Sequence, residues 1–357
     1  MTHRNNVEHL SVAMTTETVD DVSQTTSISV MTSSRGIEFY FQCAIIVIGV
    51  VGTAANALIL YAMVASKQHK KHILIFNQNV LDLFSCLLLI ITYAVKLCNF
   101  YLTGLIGYWL CMLIVTDNIL FCVITASKAN LAFITIERYL KVVYPVWSKN
   151  KLRNWMIYSA IAFSWISGFV HMNALVFPTS VVIDGVCYTN VIWENHSDRV
   201  AYVIFYVLFV YVFILIIFIF CYWRILIAIR RQAQVMTAHG TAGPSTAQTQ
   251  SHQIQSNVIK TMILVSAFYA TSELPINMYL LLANIQGLFT LMLDSIWYST
   301  LFLSFFYFCA NPFIYGTKFD PVKRVLLRLI PCKKTPVHPI ESIHITMSVN
   351  QSAQSRH

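Results

Sequence analysis

The chain has 357 residues, 57% of them hydrophobic and 11% charged, with a mean hydropathy of +0.63. Soluble domains carry roughly 25% charged residues, so this composition excludes a water-solvated globule and predicts an integral membrane protein. The net charge of +9 is no nucleic-acid signal, because it is gathered on one side of the spans below. The nine cysteines lack CxxC spacing, which argues against a zinc site or a disulfide-dense scaffold.

Residues 1–37 are polar and Ser/Thr-rich and are predicted to be a disordered extracellular tail. "MTHRNNVEHL" has no apolar stretch after its charge, so no cleavable signal peptide is expected. Seven apolar runs follow, near 39–65, 73–97, 109–141, 154–177, 200–229, 258–285 and 292–316. Each can cross a ~30 Å hydrocarbon core at ~20 residues per helix. In lipid a spanning segment must satisfy its own backbone hydrogen bonds, so the runs are predicted helices. The expected fold is an all-α membrane protein, a seven-transmembrane helix bundle over residues 38–317.

Lysine and arginine set the orientation. Lys67, Lys70 and Lys71 lie between runs one and two. Arg138, Lys141, Lys149, Lys151 and Arg153 follow run three, and Arg224, Arg230 and Arg231 close run five. The opposite side holds few cations and most of the acids, among them Glu38, Asp184, Glu194, Asp198 and Asp294. The N-terminus is therefore expected outside and the C-terminus inside.

Residues 232–256 are small and polar and read as a flexible cytoplasmic loop. Residues 318–332 place apolar residues at helical spacing with basic residues between them. That pattern predicts an amphipathic helix on the anionic inner leaflet, so membrane lipids are expected partners. Cys332 at its end is a candidate for palmitoylation, the alternative being an unmodified thiol. Residues 333–357 are predicted to be a disordered cytoplasmic tail, with Ser342, Thr346 and Ser348 as candidate kinase sites.

Six motifs in order across the seven runs resemble those of the rhodopsin-like (class A) G-protein-coupled receptors, over about residues 38–332. They are "GTAANALIL" with Asn56, "NVLDLF" with Asp82, "IERY" with Glu137, Arg138 and Tyr139, Trp165, Tyr222 in "CYWRI", and "NPFIY" from Asn311 through Pro312 to Tyr315. The resemblance implies a receptor that couples an extracellular ligand to a heterotrimeric G protein at the plasma membrane. Arrestin and receptor kinases are then further expected partners. It implies that Arg138 pairs with Glu137 in the off state and is released when helix six swings out. It implies that Asp82, with Ser127, Asn311 and Asn56 nearby, holds a sodium ion; a water-bonded carboxyl is the alternative. It also implies a Cys111–Cys187 disulfide, for which Cys98 is a competing thiol. Cys111 and Arg138 are 27 positions apart, longer than the family's usual spacing, so a bulge in helix three or a shifted disulfide must absorb the difference. Asn195 in "NHS" is a glycosylation acceptor on the outer side.

Departures from the family pattern cluster in one place. "YATSELP" puts Glu273 where the family usually has tryptophan and Tyr269 where it has phenylalanine, ahead of Pro275. Ile214 replaces the usual helix-five proline. Lys128 stands ten positions before Arg138, where the family is apolar. A charge at the centre of a spanning helix costs ~2.5–3.5 kcal/mol on insertion scales. Lys128 lies ~15 Å outward of Arg138 and Glu273 ~20 Å outward of Lys260, at 1.5 Å per residue. Side chains lean toward a helix's N-terminus, so on these antiparallel helices the two lean together. A buried Lys128–Glu273 pair is expected. A protonated Glu273 bonded to water, or a Lys128 neutralised by Asp82, are the alternatives.

The ligand is less legible. An amine receptor would carry an acid near Leu120 or Asn118; Asp117 is adjacent to the latter. No lysine occurs between Asp294 and Tyr315, which argues against an opsin of the usual kind. The acidic outer side favours a cationic ligand, with a peptide preferred to an amine. Candidate mouth residues are Asp117, Asn118, Trp193, Glu194, Asp198, Asn277 and Trp297. No enzyme constellation appears: there is no HExxH, phosphate loop or Ser-His-Asp spacing. The alternatives are a non-signalling decoy or scaffold with the same fold, and a small transporter.

Overall fold

The computed structural model describes residues 36–98, 100–189, 195–238, 246–286 and 294–329. Both expected tails beyond these limits, with Trp193, Glu194, Cys332 and the candidate kinase sites, lie outside the described residues. The first two spans are single helices, α1 (Gly36–Ala65) and α2 (Ile73–Cys98). The third is composite: α3 (Gly104–Leu110), a π-helical turn (Cys111–Val115) and α4 (Asn118–Val143). After the short α5 (Pro145–Lys151) comes the fourth span, α6 (Asn154–Thr179). The hairpin β1 (Val181–Ile183) and β2 (Val186–Tyr188) follows. The fifth span joins α7 (His196–Tyr206), a second π-helical turn (Val207–Val212) and α8 (Phe213–Ala238). The sixth is α9 (Thr246–Gln286), the seventh α10 (Asp294–Lys318), and α11 (Asp320–Leu329) lies within the predicted amphipathic segment.

α4 is the hub, packed against α6, α2 and α8. Its own side chains are buried on most sides, including Lys128, Asn130 and Arg138. Gly168 of α6 makes this possible, since a Cβ there would stand 2.2 Å from the Cys122 carbonyl oxygen of α4. The outer surfaces are apolar, with Phe163, Phe209, Ile219 and Trp223 all exposed. Such surfaces suit hydrocarbon, not water. α1, α2, the third span, α6 and the fifth span are long and apolar enough to cross a membrane by length and composition. α9 and α10 carry more polar residues: Ser272, Glu273, Asn277, Ser304 and Asn311, all buried.

The interruption of the third span answers the spacing problem. The Thr116 N–H reaches back to the Cys111 carbonyl, and Asp117 then adopts φ 59° before α4 begins. A π-turn takes up extra chain within a helix. Cys111 thereby bonds Cys187 of β2, at a Cα–Cα distance of 5.5 Å, and Cys98 stays free. The hairpin turns on Asp184 (φ 49°) and Gly185 (φ 76°), the positive-φ pair that a two-residue hairpin turn requires. The Gly185 carbonyl accepts the Leu102 N–H at 2.9 Å, pinning the hairpin beside α3.

One expectation needs correction. Of the predicted loop 232–256, residues through Ala238 extend α8 and residues from Thr246 belong to α9. Ala and Gln are good helix formers, so a helix already nucleated by its apolar part propagates through them.

Candidate functional site

The two misplaced charges meet. Lys128 Nζ of α4 is 2.6 Å from Glu273 Oε2 of α9, and the side chains are 6% and 2% exposed. Ser304 of α10 donates its hydroxyl to Glu273 Oε1 at 2.5 Å, so each carboxylate oxygen has its own partner. Tyr206 of α7 lines the same cavity as Lys128, and its ring stacks on His171 of α6. With Ser304 the pair therefore joins the third, sixth and seventh spans. Removing one member would strand the other, which is the costly case for buried charges. Asp82 is not Lys128's partner: its own hydrogen bonds go to Gln78, Ser127 and Asn311.

Below the pair, aromatic hydroxyls tie α9 to the fifth span. Tyr269 donates to the Val210 carbonyl in the π-turn at 3.2 Å, and Tyr211 donates back to the Ala270 carbonyl at 2.9 Å. Tyr222 lies between Thr135 of α4 (3.2 Å) and Ser266 of α9 (2.8 Å). Pro275 and Pro312 sit inside α9 and α10, where each removes one backbone donor.

The polar core is a chain of amides. Asp82 Oδ1 accepts from Ser127 (2.9 Å) and Gln78 (3.1 Å), and Oδ2 accepts from the Asn311 amide (3.1 Å). Asn130 continues the chain from Gln78 to Asn77. Asn56 donates to the Gly52 and Phe308 carbonyls, joining α1 to α10. A sodium ion needs oxygen ligands turned toward it, but here N–H and O–H groups point at both oxygens of Asp82. The Asn311 Oδ1 has no partner, and the amide nitrogen faces Asp82 instead. As arranged, these residues do not fit a sodium ion.

At the end of α4 far from the disulfide Arg138 pairs with Glu137 at 3.1 Å, and Glu137 also takes Lys141 at 2.5 Å. Arg138 has a partner that the sequence did not suggest: its Nη2 lies 3.0 Å from His72 Nδ1. Burial and the nearby cations of Arg138, Lys141 and Lys71 push the His72 pKa down to about 3. His72 is therefore neutral at physiological pH, and its Nδ1 accepts the arginine hydrogen. Its ring packs edge-on against Phe319, between α10 and α11. Tyr139 packs on Tyr144 and Phe220, and the Tyr315 hydroxyl is buried without a partner.

A cavity of about 510 Å³ has Lys128, Glu273 and Ser304 in its lining, with Arg199, Asn277 and Trp297. The size suits a small ligand or the end of a larger one. Asp117 and Asn118 are not among the residues that line this cavity. The αL turn at Asp117 places it 2.6 Å from Lys96, and Asn118 is buried between the Met112 carbonyl and Asn173. Asn195 is exposed just before α7, beside Asp198.

Ser304 and Gln78 had a sequence signal. Ser304 precedes Asn311 by two helical turns, and Gln78 precedes Asp82 by one, which puts each on the face of a residue already singled out. His72 and Tyr206 had none, since they join the site only through tertiary packing.

Residues 55–315 match the family described as 7 transmembrane receptor (rhodopsin family). The Drosophila melanogaster protein Opsin Rh6 is 26% identical over 308 residues, covering 81% of this chain and 79% of that protein. Neuropeptide Y receptor type 2 from Mus musculus and from Homo sapiens are each 24% identical over 336 residues, covering 87% of this chain and 80% of theirs. The crystal structure of squid rhodopsin superposes with a TM-score of 0.67 at 15% identity, over 84% of this chain and 88% of that one.

Proposed function

The chain belongs to the rhodopsin family of seven-transmembrane receptors, and on that premise we propose that it passes the binding of an extracellular ligand to a heterotrimeric G protein. It is a multi-pass membrane receptor of a non-enzymatic family. We place it in the plasma membrane with its N-terminus outside, Asn195 as the glycosylation site, and arrestin and receptor kinases as cytoplasmic partners. The supporting observation is the Lys128–Glu273 pair. It lines the cavity and holds α4 to α9 at a position where neither charge is tolerable alone. A ligand that alters this pair changes the relation of α4 to α9. A bistable packed element of that kind is what a switch requires.

A peptide ligand is favoured over an amine. Asp117 is held by Lys96, and Glu273 by Lys128 and Ser304, so neither carboxylate stands open to an ammonium group. Two of the similar proteins are named as neuropeptide receptors. The absence of a lysine between Asp294 and Tyr315 speaks against bound retinal.

The test is a reporter panel across G-protein classes, run without ligand and then against peptide and amine libraries. We expect at least one class to respond and Arg138→Ala to abolish the response. A protein that reaches the surface and activates no class, with or without ligand, is a decoy or scaffold and the proposal fails.

A further inference from the structure

We infer that the Gln78 amide takes the place of a cation at Asp82, so that the polar core of this chain is complete without sodium. The inference goes beyond the receptor reading and does not depend on it. An indole N–H only donates and a backbone carbonyl only accepts, so a chain of amides that runs between the two has its orientation fixed from both ends. Trp165 of α6 donates to Asn77 Oδ1 at 3.4 Å, which leaves the Asn77 nitrogen to donate to Asn130 Oδ1 at 3.0 Å. The Asn130 nitrogen then faces two acceptors, the Leu74 carbonyl at 3.1 Å and Gln78 Oε1 at 2.8 Å. With Oε1 committed there, Gln78 presents only N–H groups on its other side. One goes to Asp82 Oδ1 at 3.1 Å and the other to the Ser127 oxygen. The Ser127 hydroxyl donates in turn to Asp82 Oδ1. Gln78, Asp82 and Asn130 are fully buried, so bulk water does not compete for these bonds.

A cation and an N–H hydrogen seek the same oxygen lone pairs, and one excludes the other. Sodium is a hard cation that takes oxygen ligands, and at Asp82 Oδ1 and the Ser127 oxygen it would meet the Gln78 hydrogens. Turning the Gln78 amide over would set its oxygen against the Asp82 carboxylate and its nitrogen against the Asn130 nitrogen, leaving buried groups unmatched at both ends. Asn311 is held less firmly: its nitrogen donates to Asp82 Oδ2 at 3.1 Å, and its Oδ1 has no partner to lose. Gln78 is therefore the residue that closes the site to a cation. Hydrogen bonds alone then tie α6, α2, α4 and α10 together around Asp82, and the sodium concentration does not set their relation. Leucine at position 78 would remove both N–H groups. Asn130 would keep its Leu74 carbonyl, and Asp82, Ser127 and a turned Asn311 would offer oxygens to a cation.

The experiment uses the purified full chain in detergent and reads its thermal unfolding midpoint in sodium chloride and in choline chloride at equal ionic strength. Choline carries the same charge but is too large for the site, so the comparison removes the general effect of salt. The wild type should unfold at the same temperature in both salts. Gln78→Leu should unfold below the wild type in choline chloride and recover part of that loss in sodium chloride, with a saturating dependence on sodium. Gln78→Leu with Asp82→Asn should show no difference between the salts. A wild-type midpoint that sodium raises would overturn the inference. So would a folded Gln78→Leu protein with one midpoint in both salts, or a sodium response that survives Asp82→Asn. If Gln78→Leu gives no folded protein, Gln78→Met carries the same comparison, and the wild-type measurement stands without either variant. The readout involves no G protein, so a chain that fails to signal leaves this result standing.

Discussion

The two ion pairs on α4 differ in what they join. Lys128–Glu273 connects α4 to α9 across 145 positions of sequence. Both side chains are sealed from solvent, and each carboxylate oxygen has its own partner. Glu137–Arg138 connects neighbours on one helix. Glu137 is shared with the half-exposed Lys141, and Arg138 turns to His72 in the loop before α2. Among the described residues, no ion pair joins α4 to α9 at the Arg138 end. In this receptor the charged tie between the third and sixth spans lies mid-membrane. The arginine below it is held by its own helix and by the loop between α1 and α2.

The contrast sets an order of effects. Lys128→Ala or Glu273→Ala strands a buried charge and should cost about 3–5 kcal/mol of stability, read as lost surface expression or a lowered unfolding midpoint. Replacing both by Met and Leu should recover most of that loss, because well-packed apolar residues of similar volume substitute for a buried pair. A double variant as unstable as the singles would show that packing, not charge, sets the cost.

His72→Ala removes one acceptor from a charged donor, worth about 1.5–3 kcal/mol. It should raise ligand-independent signalling by freeing Arg138. The sign of its pH effect also follows. His72 is neutral in the fold with a pKa of about 3, against 6.5 for the unreacted group. Between those values the unfolded chain binds more protons, so His72 favours the fold above pH 6.5 and ever less as pH falls toward 3. His72→Ala should flatten the acid limb of the stability profile. Lys141→Ala, which breaks a partly exposed pair, should change stability by only about 0–1 kcal/mol. An effect as large as that of Lys128→Ala would erase the distinction between the two ends of α4.

The spans were legible because lipid leaves one solution for a long apolar run, a helix that satisfies its own backbone. The Lys128–Glu273 pair was legible for a related reason: two charges that lipid cannot tolerate singly had to meet. The π-turn at Cys111–Val115 was legible only as an excess of chain between Cys111 and Arg138, with a shifted disulfide as the rival account. The partner of Asp117 was not legible, because the position of the bulge was not: its φ of 59° turns it to Lys96. His72 and Tyr206 depend on which helix packs where, information that no local pattern carries.

The most direct test is the charge swap, Lys128→Glu with Glu273→Lys, compared with each single swap by surface expression and basal signalling. Either single swap places two like charges at the cavity floor and should abolish expression. The double swap should restore it, because the pair is intact with its ends exchanged. A double swap as defective as the singles would contradict the claim that a direct ion pair holds α4 to α9.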